Sequence, residues 1–374
     1  MPATFQGLGF LNSTDQLSKG FAVARDGSEA FGTSLSAPST LEALSWTSGA
    51  GAAALGDLST PVVESSAHGS APGDVVVGVG TSPSCGYDAF LIDGTTAIVG
   101  LGRLPGDAHS AARDVTVVGS GASRRVVVVG RSWTKRGDRD AVVWEQTTSG
   151  VSITRLGHRP GFKDQSLAYG VSDDGLWAVG KSDTDQPRNS TEAVRWRRAN
   201  LTAAWGQPRS LHPGGSTAVF GKALAISGDS TGYVIAGQMY DRVSDQFVAF
   251  LWDGTQTSPV MTPLTPSSTD HVRSRARDVV RTTGSIVIVG EYKLSTSSHD
   301  EAFIWDSSET TSQMRSLRDV LAAAGAPMGN WELRTAHSIS SDGQVIVGTG
   351  VETPTSPLQG WIADLSAREA DKRC

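Results

Sequence analysis

The sequence predicts an all-β protein: a seven-bladed β-propeller of four-stranded antiparallel blades, closed by an N-terminal strand that completes the last blade. Three observations predict it. A glycine following a valine-rich run recurs at Gly32, Gly78, Gly130, Gly180, Gly237, Gly290 and Gly348, at intervals of 46, 52, 50, 57, 53 and 58 residues. A second motif of an acid or polar residue, a small residue and an apolar residue follows each glycine. The third observation is a spare copy of a strand-end motif at the N-terminus, matched by a missing one at the C-terminus.

The second motif reads Glu42-Ala43-Leu44, Asp88-Ala89-Phe90, Asp140-Ala141-Val142, Glu192-Ala193-Val194, Val248-Ala249-Phe250, Glu301-Ala302-Phe303 and Gln359-Gly360-Trp361. In five copies a Trp stands three residues past the Ala, at Trp46, Trp144, Trp196, Trp252 and Trp305. Two landmarks that advance in step at a period of about 50 residues identify a repeat architecture of blade size.

Blade four shows the unit. Gln165–Ser172 reads as the first strand, Leu176–Lys181 as the second, Glu192–Arg197 as the third and the segment around Trp205–Leu211 as the fourth. Alternation, β-branched residues and Gly/Asp/Pro punctuation favour strands throughout. The pairs Asp26-Gly27, Asp174-Gly175 and Asp342-Gly343 read as tight hairpin turns rather than calcium ligands. Helical periodicity is confined to Leu317–Ala324, ahead of Gly325.

A Leu marks the fourth strand at Leu55, Leu101, Leu156, Leu211, Leu264 and Leu317, and Leu8-Gly9 is an orphan copy. After Gly360–Leu365 no fourth strand follows. The first strand is therefore expected to finish the last sheet and remove a free edge. This gives one propeller domain over residues 4–366 and a polar tail over 367–374, with loss of Thr4–Leu11 expected to destabilise it severely. An open solenoid would need no such matched ends.

The 374 residues are 38% hydrophobic and 19% charged, with 43 glycines, as expected of a globular, turn-rich chain. A net charge of −6 gives no basic footprint for nucleic acid. Only Cys85 and Cys374 are present, which excludes a disulfide framework and a four-thiolate metal site and leaves their pairing open. No apolar run is long enough to span a membrane. Nothing at the N-terminus reads as a signal peptide, so the protein either stays in the cytoplasm or lost a leader ahead of this numbering. No motif calls for a cofactor or a metal, and the oligomeric state is not encoded legibly.

The recurring pattern Ser-x-Ala, Val-Ser-x-Asp-Gly, Val-Val-Gly, Glu-Ala-Phe-x-Trp, Leu-Gly-x-Leu-Pro-Gly resembles the bacterial HAF repeat family. Its clearest copies are Ser166–Ser182, Ala336–Gly348 and Leu101–Gly106, and the match runs from Leu8 to Leu365. Glu, Asp, Val or Gln replaces the His that names the family. The resemblance implies an extracellular or cell-surface setting and supplies no catalytic residues.

The repeated Trp is expected to fill the wedge between blades rather than to stack on a sugar. The repeated Ala and Gly are expected to be small because blades converge toward the axis. Binding residues should lie where the repeat varies, in the loops at one rim. Those loops carry His109, Lys222, His271, Arg273, Trp331 and Arg334, and also Trp133, Tyr240 and Tyr292. One position stands out, directly after the first-strand Ala: Phe21, His68, Arg113, Tyr169, Leu224, Arg277 and His337.

Two functions follow. The first is a binding module that presents a polar rim to a polysaccharide or a cell-surface partner; no nucleophile elbow, zinc motif or phosphate loop is present. The second is a lyase acting on uronic acid polymers by β-elimination. That chemistry needs a base, a proton donor and a cation that neutralises the carboxylate. His68 or His337 would be the base, Tyr169 the acid, and Arg113 or Arg277 the neutraliser, similar in residue type to lyases on seven-bladed propellers. A glycoside hydrolase would instead need two facing carboxylates, with Asp107, Asp164, Asp270 and Glu332 as candidates.

Overall fold

The computed structural model describes residues 2–14, 16–83, 86–94, 97–159, 165–184, 190–212, 220–266, 270–311 and 313–366. Cys85, Cys374, Asp164 and the polar tail lie outside them. Seven four-stranded antiparallel sheets are arranged in a ring, so the chain is a β-propeller. Two compact units make it up: Met1–Asp57 with Val62–Ala67 and Leu264–Cys374, and Leu58–Pro61 with His68–Pro263.

Within six of the sheets the strands follow one another in chain order. Blade three is His109–Val118, Arg125–Trp133, Arg139–Thr147 and Gly150–Arg155. The first strands of blades three, four and five (Gly221–Asp229 in blade five) crowd one another inside the second unit, while the fourth strand of blade three is largely exposed. The first strands are therefore the inner ones. The expected helix is present as Leu317–Ala323, with the Ser316 side chain accepting from the Asp319 N–H at its start.

Blade seven takes its fourth strand from the N-terminus. Thr4–Gly7 pairs antiparallel with Gln359–Asp364, Thr4 opposite Asp364 and Gly7 opposite Trp361. The closure reproduces the other blades bond for bond. The Leu101 N–H donates to the Ala89 carbonyl and Leu156 to Ala141, and Leu8 donates to Gly360 at the same 2.8 Å. Leu8, Leu101, Leu156, Leu211, Leu264 and Leu317 thus sit buried just past their fourth strands, whereas Leu55 lies half-buried inside Gly51–Gly56.

The repeated serine of the inner strand joins neighbouring blades. Ser110 Oγ accepts from the Ala89 N–H at 2.9 Å and donates to the Gly102 carbonyl at 2.8 Å. Ser65 makes the same two bonds to Ala43 and Gly56, and Ser18 to Gly360 and Gly9. Each hydroxyl satisfies a buried donor and acceptor that would otherwise cost about 1–3 kcal/mol apiece. Trp144, Trp196 and Trp361 are fully buried, which places them in the core.

The repeated second-strand glycine has a different cause from the one the sequence suggests. In blade three the register shifts between Ala112 and Asp114, so Arg113 is the extra residue of a β-bulge. The bulge drives the Ala111 carbonyl against Gly130, where a Cβ would lie 2.1 Å from that oxygen. The crowding therefore arises between two strands of one blade. Phe21, Tyr169, Leu224, Arg277 and His337 occupy the same bulge in their blades.

Candidate functional site

In six blades the bulge turns one side chain out of the regular pleat, and in the second unit charge gathers beside it. His68 Nδ1 lies 3.2 Å from the Ala112 carbonyl and 3.5 Å from Arg113 Nη1. Burial, then Arg113, holds the His68 imidazole far below the usual range, at about 3. It is therefore neutral at pH 7, and its Nδ1–H donates to Ala112.

Four more cations act on this group. Arg131 feels Arg113 and Arg139, and burial ahead of both lowers it to about 10. Lys181 is lowered by burial first, then by Lys222, with Arg139 and Arg131 adding to the effect; Asp183 opposes it. Arg113 is lowered by burial, and Tyr169 beside it pushes back. The cluster thus holds Arg113, Arg131, Arg139, Lys181 and Lys222, with the neutral imidazole of His68 and with Tyr169 beside them. Among the described residues, Arg113 Nε and Arg131 Nε are buried without a hydrogen-bond partner.

A stack of rings leads from the cluster to the loops. The Arg131 guanidinium lies 4.8 Å from the Trp133 ring centre, and His109 stacks on Trp133 at 5.0 Å and 21°. Tyr87 lies 5.8 Å beyond, and its N–H donates to His109 Nδ1. Trp133 thus has a guanidinium and an imidazole in contact with its ring. His109 borders a hollow of about 900 Å³ lined also by Arg103, Asp107, Lys135, Arg136 and Asp138. Asp107 accepts from Ser132 Oγ at 2.6 Å.

The structure brings together His68, Arg113 and Tyr169, places Lys222 within reach of Lys181, and separately joins His109 and Trp133. Tyr240 stands apart in blade five, bonded to Asp245 and packed edge-on to Phe220 and Phe247.

The first unit arranges its candidates differently. Arg277 grips Glu291 through Nε (2.8 and 3.1 Å) and Nη2 (2.9 Å), and Arg275 reaches the same carboxylate at 3.4 Å. Arg273 forks onto Asp300. His337 meets Phe21 edge-on at 5.2 Å. His271 is buried, and burial lowers its pKa. Tyr292 is buried and donates to Glu301, burial raising its pKa. Trp331 is buried against Phe5 of the closing strand, and Arg334 reaches Glu332. Glu332 also faces His299.

Sequence reasoning singled out the bulge position but missed the one after the second-strand glycine. That position holds Thr33, Val79, Arg131, Lys181, Gln238, Glu291 and Thr349. Its switch from cation in blades three and four to carboxylate in blade six was a readable signal.

No family model matches the chain, and no curated protein matches it. Among solved structures it is similar to an acylaminoacyl peptidase from Pyrococcus horikoshii (11% identity, TM-score 0.53, 97% of this chain and 55% of that one). It is also similar to the β-propeller domain of the trilobed protease from Pyrococcus furiosus (10%, TM-score 0.42, 79% and 80%). A third is a Trypanosoma rangeli sialidase (12%, TM-score 0.39, 68% and 47%). The chain spans about half the length of the peptidase and of the sialidase. At 11% identity the likeness to the peptidase shows the fold alone.

Proposed function

We propose that this protein is a ligand-binding propeller whose inner strands in blades two to five take an acidic carbohydrate. The carrying observation is the cluster of Arg113, Arg131, Lys181 and their neighbours, in which two guanidinium Nε atoms are buried without partners. Arg113, Arg131 and Lys181 stand in one another's field or in that of Arg139, and part-buried cations focus the local field on an incoming anion. An acidic polysaccharide combines spaced negative charge with polar surface, which suits a wet, partly exposed site. The HAF-like repeat pattern supports a secreted or cell-surface setting, where such polymers are met.

Elimination is the second reading, favoured by the meeting of His68, Arg113 and Tyr169. It is the weaker one. An imidazole held at about 3 accepts protons poorly, and base catalysis works best with a pKa near the working pH.

Affinity electrophoresis through polygalacturonate, alginate and neutral dextran tests the proposal. Retardation by the two acidic polymers only is expected, with no rise in ultraviolet absorbance from new double bonds. Equal mobility in all three gels would overturn it, and a rise in absorbance would favour the lyase.

A further inference from the structure

We infer that the group Arg113 receives is a carboxylate, gripped edge-on as Arg277 grips Glu291. The inference rests on the acidic-ligand reading above and narrows it to one functional group.

The protein contains its own template. Arg113 and Arg277 are the extra residues of the same bulge in blades three and six. The aspartate after each fixes the backbone in the same way. Asp114 Oδ1 accepts from the Val115 N–H and Asp278 Oδ1 from the Val279 N–H, both at 2.8 Å. The second oxygens reach into the next blade, to the Val171 N–H at 2.9 Å and the Ile339 N–H at 3.0 Å. Both arginine side chains therefore start from one backbone geometry.

Their surroundings then diverge. In blade six the position after the second-strand glycine is Glu291, and its carboxylate takes the Nε and Nη2 edge of Arg277. In blade three that position is Arg131. The Nε of Arg113 is left buried and unbonded, and so is that of Arg131. Blade three thus retains the guanidinium fork, lacks the internal carboxylate, and adds a second cation in its place. A planar carboxylate matches the two parallel N–H bonds of such a fork, whereas a lysine offers only a point charge.

Isothermal titration of the full chain with oligogalacturonate and with a dextran sulfate oligomer of equal charge tests this, using wild type and Arg113→Lys. The wild type should bind the uronate more tightly. Arg113→Lys keeps the charge and loses the fork, so uronate affinity should fall about tenfold or more while sulfate affinity changes by less than about threefold. Equal wild-type affinity for both polymers, or equal losses in the variant, would leave an anion site and overturn the carboxylate assignment. Binding of neither polymer would instead overturn the acidic-ligand reading itself. Should Arg113→Lys fail to fold, the wild-type preference alone decides.

Discussion

Glu291 and Arg277 form a closed pair inside blade six, three hydrogen bonds of 2.8–3.1 Å joining one guanidinium edge to one carboxylate. Arg275 shares the same oxygen at 3.4 Å. The pair shows what the inner strand does with a cation when a partner is encoded nearby, and it sets off blade three, where none is.

Replacing Glu291 by Gln should leave Arg275 and Arg277 facing one another without a counter-charge. A stability loss of about 1–2 kcal/mol is expected, discounted from a fully buried pair because both arginines are roughly a third exposed. Urea unfolding at low salt would show it, and added sulfate should recover part of the loss. A variant as stable as wild type at low salt would mean that the pair contributes nothing.

Gly130→Ala should be among the most damaging single-methyl changes in the chain. Its Cβ would sit 2.1 Å from the Ala111 carbonyl and 3.0 Å from the Ala112 Cα, both backbone atoms. A loss of about 3 kcal/mol or more is expected. Gly49→Ala is the control, since open space surrounds that position and its φ is ordinary. Its effect should stay within about 0.5 kcal/mol. Comparable denaturation midpoints for the two variants would contradict the bulge explanation.

The glycine shows where sequence reading stops. Its recurrence announced the blade, because periodicity survives in one dimension. Its cause did not, since the approach of a carbonyl depends on a bulge that adds one residue to a strand without changing its composition. Closure was legible for the opposite reason: Leu8-Gly9 carries the same local motif as Leu101-Gly102, so the orphan could be recognised by kind. The site was half legible. In the proposed site, His68, Arg113 and Tyr169 share a repeat position that the sequence sets apart, whereas Arg131 and Lys181 lie inside valine-rich strands and read as framework. Trp133 was chosen as an aromatic in a loop, and only coordinates show Arg131 and His109 in contact with its ring.

Leu8 is 1% exposed, with its N–H on Gly360. Leu8→Ala should cost about 2–5 kcal/mol, as for other buried leucines. Deleting residues 2–8 should abolish cooperative melting, because the last sheet would also lose Phe5 from against Trp331 and Trp361. A truncated chain that melts in one sharp transition near the wild-type temperature would refute the closure.

Acid should destabilise the protein partly through His68. Its folded pKa of about 3 lies below the usual 6.5, so between these values the unfolded chain binds the proton and the folded one does not. The stability this gives is full above pH 6.5 and is lost as pH falls toward 3. His212, lowered by burial and then by Arg159 to about 4, acts in the same direction. Unfolding His68→Gln and wild type between pH 7 and 4 isolates the first term. The variant should lose less stability over that range, and parallel curves would mean that His68 does not titrate on unfolding.

Ser18 and Gly360 share a hydrogen bond across 342 positions of sequence. The other six sheets pair strands that leave the ribosome one after another. The seventh has to wait, because Thr4–Gly7 emerges long before its partner Gln359–Asp364. Throughout synthesis that leading segment is an unpaired β-edge, open to pairing with a neighbouring nascent chain. Its final docking is the most non-local step in the molecule and should set the pace of maturation.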